Sequence, residues 1–150
     1  MMDEFDEDDP GTEEWVAKER DVSLCPCKSR LPYAGCCQPF HHGKAKPETA
    51  EQLMRSRYSA YFFRLVDYLV ETTHPDTREP QLKVELESII HQANWSFLTI
   101  LCTTRGEKED KRGKVEFSAK YYVDGEQYEL HENSRFKRYK GMWKYLDGKA

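Results

Sequence analysis

The chain reads as an α+β protein, with a cysteine-rich knuckle, then about three helices, then four antiparallel strands. Three observations support this. Four of the five cysteines fall between Cys25 and Cys37, apolar residues recur at helical intervals from Pro47 to Ala93, and from Asn94 onward the period shortens to two. A chain of 150 residues suits one domain with an appendage, and a core of that size can be stable without disulfide support.

Composition narrows the function classes. The hydrophobic fraction is 38% and the charged fraction 33%, with no apolar run near the length of a membrane span, so a soluble protein with no membrane partner is expected. The acidic start lacks the basic and apolar parts of a secretory signal, which makes the cytoplasm the expected compartment. Thiols stay reduced there, and clustered cysteines more often bind metal than pair. The net charge of -4 is uneven: residues 1–14 hold eight acids and no Lys or Arg, leaving 19 acids against 23 bases in the remainder. Residues 1–20 are therefore expected to form a disordered acidic tail, either solvated or lying over a basic surface.

The knuckle is CPCKSRLPYAGCC: Cys25-x-Cys27, eight residues, then Cys36-Cys37. Two close thiol pairs joined by a short loop can wrap one tetrahedral zinc ion, whereas a disulfide between Cys36 and Cys37 would close a strained ring. One structural zinc on Cys25, Cys27, Cys36 and Cys37 is the expectation. His41 and His42 stand close enough to replace a cysteine, but a four-thiolate site needs neither. Lys28, Arg30, Lys44 and Lys46 surround the thiolates with no acid between Cys25 and Lys46. These cations either balance the anionic centre or form a docking surface for an acidic protein or for nucleic acid, ribosomal RNA included.

These residues resemble the SEC-C zinc motif, Cys-x-Cys, eight residues, then Cys-Cys or Cys-His. The stretch PETAEQLMRSRYSAYFFRLVDYLVETTHPDTR, followed by HENSRF and the tryptophan-containing end, is similar to the YchJ family of bacterial proteins. The resemblance runs from Cys25 to the C-terminus and departs at Lys28 and Arg30, where such knuckles commonly carry glycine. It implies a zinc knuckle over 21–46 and a nuclear transport factor 2-like (cystatin-like) cone over 47–150, and it brings no activity with it.

The residues support the cone independently. Thr49 and Gln52 have capping-box spacing, and Met54, Tyr58, Tyr61 and Leu65 then share one helical face. Val66, Leu69 and Val70 suggest a second short helix ending before Pro75, and a third runs from about Pro80 to Gln92 with Leu82, Leu86, Ile89, Ile90 and Ala93 as its stripe. After Asn94, Phe97 to Cys102 form a strand apolar on both sides, with Cys102 expected as a small buried hydrophobe. The charged turn GEKEDKRG leads to alternating Val115, Phe117, Ala119, Tyr121 and Val123, and Asp124-Gly125 and Lys140-Gly141 mark the next two hairpins.

Some polar residues interrupt the apolar pattern. Glu132 and Ser134 share strand parity with Leu130 and Phe136, and Arg57 flanks the first helix's apolar stripe beside Met54 and Tyr61. A buried charge needs a partner, so an Arg57 to Glu132 ion pair, joined by His74, is one expectation. The other is a small-molecule pocket built from Arg57, Tyr61, His74, Glu132 and Ser134. Function then divides three ways: a protein-interaction or binding module with structural zinc; a small-molecule enzyme of isomerase, dehydratase or hydrolase type using Glu132 with His74; or a ribosome or nucleic-acid accessory protein.

Overall fold

The computed structural model describes residues 24–150, so the acidic stretch 1–20 and the first residues of the 21–46 knuckle lie outside the described residues. A 3-10 turn over Tyr33–Gly35 and a four-residue helix α1 (Gln38–His41) belong to the knuckle. Helices α2 (Ala50–Phe63), α3 (Val66–Glu71) and α4 (Leu82–Ile89) follow. Strands β1 (Asn94–Arg105), β2 (Arg112–Val123), β3 (Glu126–Tyr139) and β4 (Met142–Lys149) form one antiparallel meander in the order β1-β2-β3-β4.

Helix α2 starts where its sequence predicts. Thr49 is extended and its hydroxyl accepts from the Gln52 N–H at 3.1 Å, while the Gln52 side chain accepts from the Glu48 N–H at 2.7 Å. The helix stops at Arg64, which takes the left-handed conformation at φ 62°, so Leu65 leaves the stripe and packs instead with Ala60, Leu69, Leu86 and Ile90 in a satellite cluster under α3 and α4. Helix α4 is shorter than the 80–92 expectation, and Ile89 points to solvent at 53% exposure, because among the described residues α4 packs into that small cluster.

The main core joins α2 to the concave face of the sheet. Leu53, Met54 and Tyr58 pack on Leu98, Val115, Phe117, Ala119, Phe136 and Trp143, and Cys25, Cys27 and Cys37 complete the same cluster. The sheet curves through register shifts at Trp95/Phe97, Ile100/Cys102 and Arg135/Phe136. The second shift corrects the expectation for Cys102. With one extra residue in β1, Cys102 falls opposite Glu116 on the outer face and is exposed. Asp124-Gly125 and Lys140-Gly141 both have positive φ at both positions, the two-residue hairpin that matches strand twist. At the end of the sheet that also carries the Lys140-Gly141 turn, Gly106 and Gly113 approach too closely for a side chain, and the Ala50 N–H bonds the Gly106 carbonyl at 2.9 Å, tying the start of α2 to the β1–β2 hairpin. Among the described residues, no helix is long and apolar enough to cross a membrane.

Candidate metal centre

The knuckle loop is closed by its backbone. The Cys25 N–H bonds the Leu31 carbonyl at 2.9 Å, Leu24 bridges to Pro32, and the Leu31 N–H bonds Ser29 Oγ at 3.2 Å. Lys28 and Arg30 take left-handed backbone at φ 67° and 72°, the conformation that glycine adopts without cost. A side chain there costs roughly 1–2 kcal/mol, so the knuckle keeps its path at the two departures from the glycine pattern and offsets the strain elsewhere. The 3-10 turn then delivers Cys36 and Cys37, and Cys37 caps α1 with Pro39 in its first turn.

All four Sγ atoms lie within 4.8 Å of one another. Cys27 and Cys36 are 3.6 Å apart and Cys36 and Cys37 3.9 Å. A tetrahedron with metal–sulfur bonds of about 2.3 Å has edges of about 3.8 Å, so the two shorter separations match its edges and the whole donor set lies within reach of one tetrahedral ion. Cys25, Cys27 and Cys37 are buried, and Cys36 is half-buried. The thiols share their protons unequally. Hydrogen bonding within the cluster holds Cys27 well below the usual thiol range and pushes Cys37 well above it, and burial pushes Cys36 up to about 11. A bound dication would displace those protons.

Hydroxyls surround the sulfurs. Ser29 Oγ lies 3.2 Å from Cys36 Sγ, and Ser59 Oγ, fully buried on α2, lies 3.4 Å from both Cys25 and Cys37 Sγ. Arg55 of α2 donates to the Cys27 carbonyl at 2.7 Å while pairing with Glu51. His41 is a bolt rather than a ligand: its Nε2 meets the Ser56 carbonyl at 2.8 Å and its Nδ1 the Tyr33 hydroxyl at 2.6 Å. A carbonyl only accepts, so Nε2 carries the proton and Nδ1 accepts from Tyr33. Burial pulls the His41 pKa down, in keeping with that neutral ring, and burial followed by the negative charge of the cysteine cluster pushes Tyr33 up to about 12. The sequence marks His41 only as a spare ligand; a histidine one turn past the last cysteine, beside an apolar helix, is the signal for its packing role. His42 is exposed.

The four cations of the knuckle do not share one place. Lys28 lies over the Phe97 ring of β1 at 5.3 Å, whereas Lys46 sits close to Lys144 of β4, at the opposite edge of the sheet. Burial first, then Arg78 and Lys46, lowers the Lys144 pKa. Arg30 and Lys44 are exposed.

The cone holds a cavity of about 190 Å³ lined by Arg57, Tyr61, Glu132 and Ser134 together with Trp95, Tyr145 and apolar side chains. Glu132 and Ser134 face Phe117 and Val115 in register, on the concave side. Arg57 is 7% exposed and donates through Nη1 to the Leu69 carbonyl at 3.0 Å and Thr72 Oγ1 at 2.6 Å, with its guanidinium 4.5 Å above the Tyr145 ring. Burial lowers its pKa, opposed by the phenol oxygens of Tyr61, Tyr145 and Tyr68 and by Glu132. Glu132 Oε2 accepts from Ser134 Oγ at 2.7 Å and from the Tyr145 hydroxyl at 3.1 Å. Tyr145 thus stands between the two charges, and Arg57 and Glu132 form no ion pair within 4.0 Å. His74 is absent from the cavity. Its N–H bonds the Tyr145 carbonyl at 2.7 Å, which fixes its backbone along β4, and its ring packs edge-on against Tyr139 with Nδ1 accepting from the Asp76 N–H.

Comparison with known proteins agrees with this geometry. The family described as "YchJ, middle NTF2-like domain" matches residues 49–148. A UPF0225 protein of Actinobacillus succinogenes is 41% identical over 126 residues, covering 84% of this chain and 81% of its own. One from Vibrio vulnificus is 44% identical over 128 residues, covering 85% and 75%. The solution structure of a SEC-C motif containing protein from Rhodopseudomonas palustris superposes with a TM-score of 0.77 at 32% identity, covering 85% of this chain and 98% of that one. The crystal structure of a SEC-C motif containing protein from Psychrobacter arcticus gives 0.70 at 28%, covering 86% and 83%. With its cysteine cluster set ahead of an NTF2-like domain, the chain belongs to the YchJ-like family.

Proposed function

We propose that the protein is a cytoplasmic binding module in which one structural zinc ion, held by Cys25, Cys27, Cys36 and Cys37, fastens a knuckle (21–46) onto a nuclear transport factor 2-like cone (47–150). The observation that carries this reading is the sulfur cluster: four Sγ atoms within 4.8 Å of one another, three of them in buried residues, with Ser59 donating from the helix behind. Such a shell leaves no open position for a substrate, so the metal cross-links and does no Lewis-acid chemistry. Purified protein should contain about one zinc per chain. Cys27→Ser should lose it and Cys102→Ala, on the outer face of β1, should keep it. A chain free of zinc, or one holding iron with visible thiolate absorption, contradicts the reading.

The partner surface is the exposed side of the knuckle. Leu24 and Leu31 are 50% and 51% exposed beside Lys28 and Arg30, and Phe62 and Phe63 are exposed nearby, with the Phe63 ring tilted against Tyr33. Apolar side chains flanked by cations fit an acidic protein surface better than a phosphate backbone, which needs charge alone. Reversing Lys28 and Arg30 to Glu should weaken capture of such a partner, as should added salt. Specific retention of ribosomal RNA, undiminished by Leu24→Ser and Leu31→Ser, would favour the nucleic-acid reading instead.

An acid-base enzyme finds less support. The pair that would serve it is split, with Glu132 at the cavity and His74 turned toward Tyr139.

A further inference from the structure

The cone cavity contains two opposite charges that the fold keeps apart, an arrangement that the interaction reading does not use. If Arg57 and Glu132 served stability alone, joining them would satisfy both; each is instead anchored on one side and left open on the other. Arg57 finds partners only through Nη1 among the described residues. The only side-chain nitrogen or oxygen there that is both sealed from water and unpartnered is the Tyr58 hydroxyl. The free Arg57 Nε and Nη2 are therefore not sealed from water, and Arg57 is one of the residues that line the cavity. Glu132 is likewise held through Oε2, by Ser134 and Tyr145, and Oε1 has no protein partner among the described residues. Gly148 keeps this arrangement in place, since a Cβ there would collide with the Glu132 carboxylate.

We propose that this cavity binds a small zwitterion of amino-acid size, its carboxylate on the open edge of Arg57 and its ammonium on Glu132, between the rings of Tyr61, Trp95 and Tyr145. The volume of about 190 Å³ is below the roughly 300–1,000 Å³ of sites for drug-sized ligands. Tyr61, Trp95, Leu130, Glu132 and Tyr145 are half-buried, so the space opens to solvent on their side. A guanidinium edge takes a carboxylate in two parallel bonds, and aromatic faces favour an ammonium group. A lone anion would meet Glu132 unpaired and a lone cation would meet Arg57, so each is rejected by the charge that the zwitterion satisfies. Tyr145 sets the spacing, with the guanidinium above its ring and the carboxylate at its hydroxyl.

The test uses the full-length, zinc-loaded chain. The common L-amino acids and glycine betaine are titrated at millimolar concentration while the Trp95 indole N–H resonance is followed, together with the amide and the des-amino acid of any amino acid that binds. The proposal expects saturable binding of at least one zwitterion that moves Trp95 and leaves Trp143, on the other side of the core, unmoved. Its charge-deleted counterparts should bind at least about tenfold more weakly, the size of one lost charge-assisted contact. Glu132→Gln keeps the shape and the bonds from Ser134 and Tyr145, so it should fold and should bind the amino acid no better than the des-amino acid. Arg57→Lys should weaken binding of both. The proposal fails if no zwitterion binds, if a des-amino acid or an amide matches its parent, or if the shifts map away from Trp95.

Discussion

Helix α2 has two polar faces that the fold treats in opposite ways. Toward the knuckle, Ser56 and Ser59 are sealed, Ser59 meets two sulfurs, and the Ser56 carbonyl and hydroxyl are taken by His41, Leu53 and Tyr68. Toward the cone, Arg57 and Tyr61 border an open cavity with donors to spare. The residues interleave along one helix, so burial alone does not separate the faces. What separates them is whether the opposite side supplies partners: a closed polar face stabilises, whereas an open one waits for a ligand.

The largest test of the closed face is loss of the metal. Because Cys25, Cys27 and Cys37 share the core of Leu53 and Phe117, Cys27→Ser should lower the melting temperature by more than about 10 °C, at about 2–4 °C per kcal/mol for a chain of this size. The β2–β3 amides should still disperse at low temperature in the cysteine variant, since residues 47–150 hold the helix–sheet contacts. Collapse of all amide dispersion would mean that the cone cannot fold without the knuckle.

Next in size is Arg57→Met, which removes bonds to the Leu69 carbonyl and Thr72 and should cost about 2–3 kcal/mol by denaturant melts. Glu132→Gln should cost less than about 1 kcal/mol, because both of its donors keep an acceptor. Since Tyr145 separates the two charges, the double variant should recover less than about 1 kcal/mol. Recovery of most of the loss would reveal a direct ion pair.

His41→Ala should cost about 2 kcal/mol by removing a second bond from the Ser56 carbonyl and leaving the Tyr33 hydroxyl without its acceptor. His41 also adds a pH dependence. Its folded pKa lies below the ordinary value of 6.5, so the unfolded chain binds the extra proton. This contribution is full above pH 6.5 and falls as the solution is acidified. His41→Gln should flatten that limb, and an unchanged limb would assign acid sensitivity to the thiolates alone. Ser59→Ala should also have a small effect, about 1 kcal/mol with metal affinity reduced by about tenfold; no change in metal affinity would make Ser59 a packing residue only.

Much of this was legible in the sequence because it is periodic or local. Cysteine spacing, the Thr49 cap, the Asp124-Gly125 turn and the parity of Glu132 each depend on residues close in the chain. What the sequence concealed depends on long-range placement. Cys102 alternates with apolar neighbours as a core residue should, but the extra residue at Leu101 turns it outward. Arg57 and Glu132 have the right burial for a pair, yet Tyr145, from the last strand, comes between them. His74 lies near the end of α3, but its bond to the Tyr145 carbonyl aims its ring away from the cavity. The cations that look like one cluster from Lys28 to Lys46 divide, with Lys28 over Phe97 of β1 and Lys46 acting on Lys144 of β4, the two edge strands of the sheet.

In the proposed metal centre, four thiolates close one tetrahedral site against α2. X-ray absorption at the zinc edge of the purified full-length chain measures this directly. Four sulfur neighbours at about 2.3 Å and no nitrogen or oxygen shell are expected. A first shell containing a histidine nitrogen or a water oxygen would mean an incomplete thiolate shell and would contradict the structural assignment.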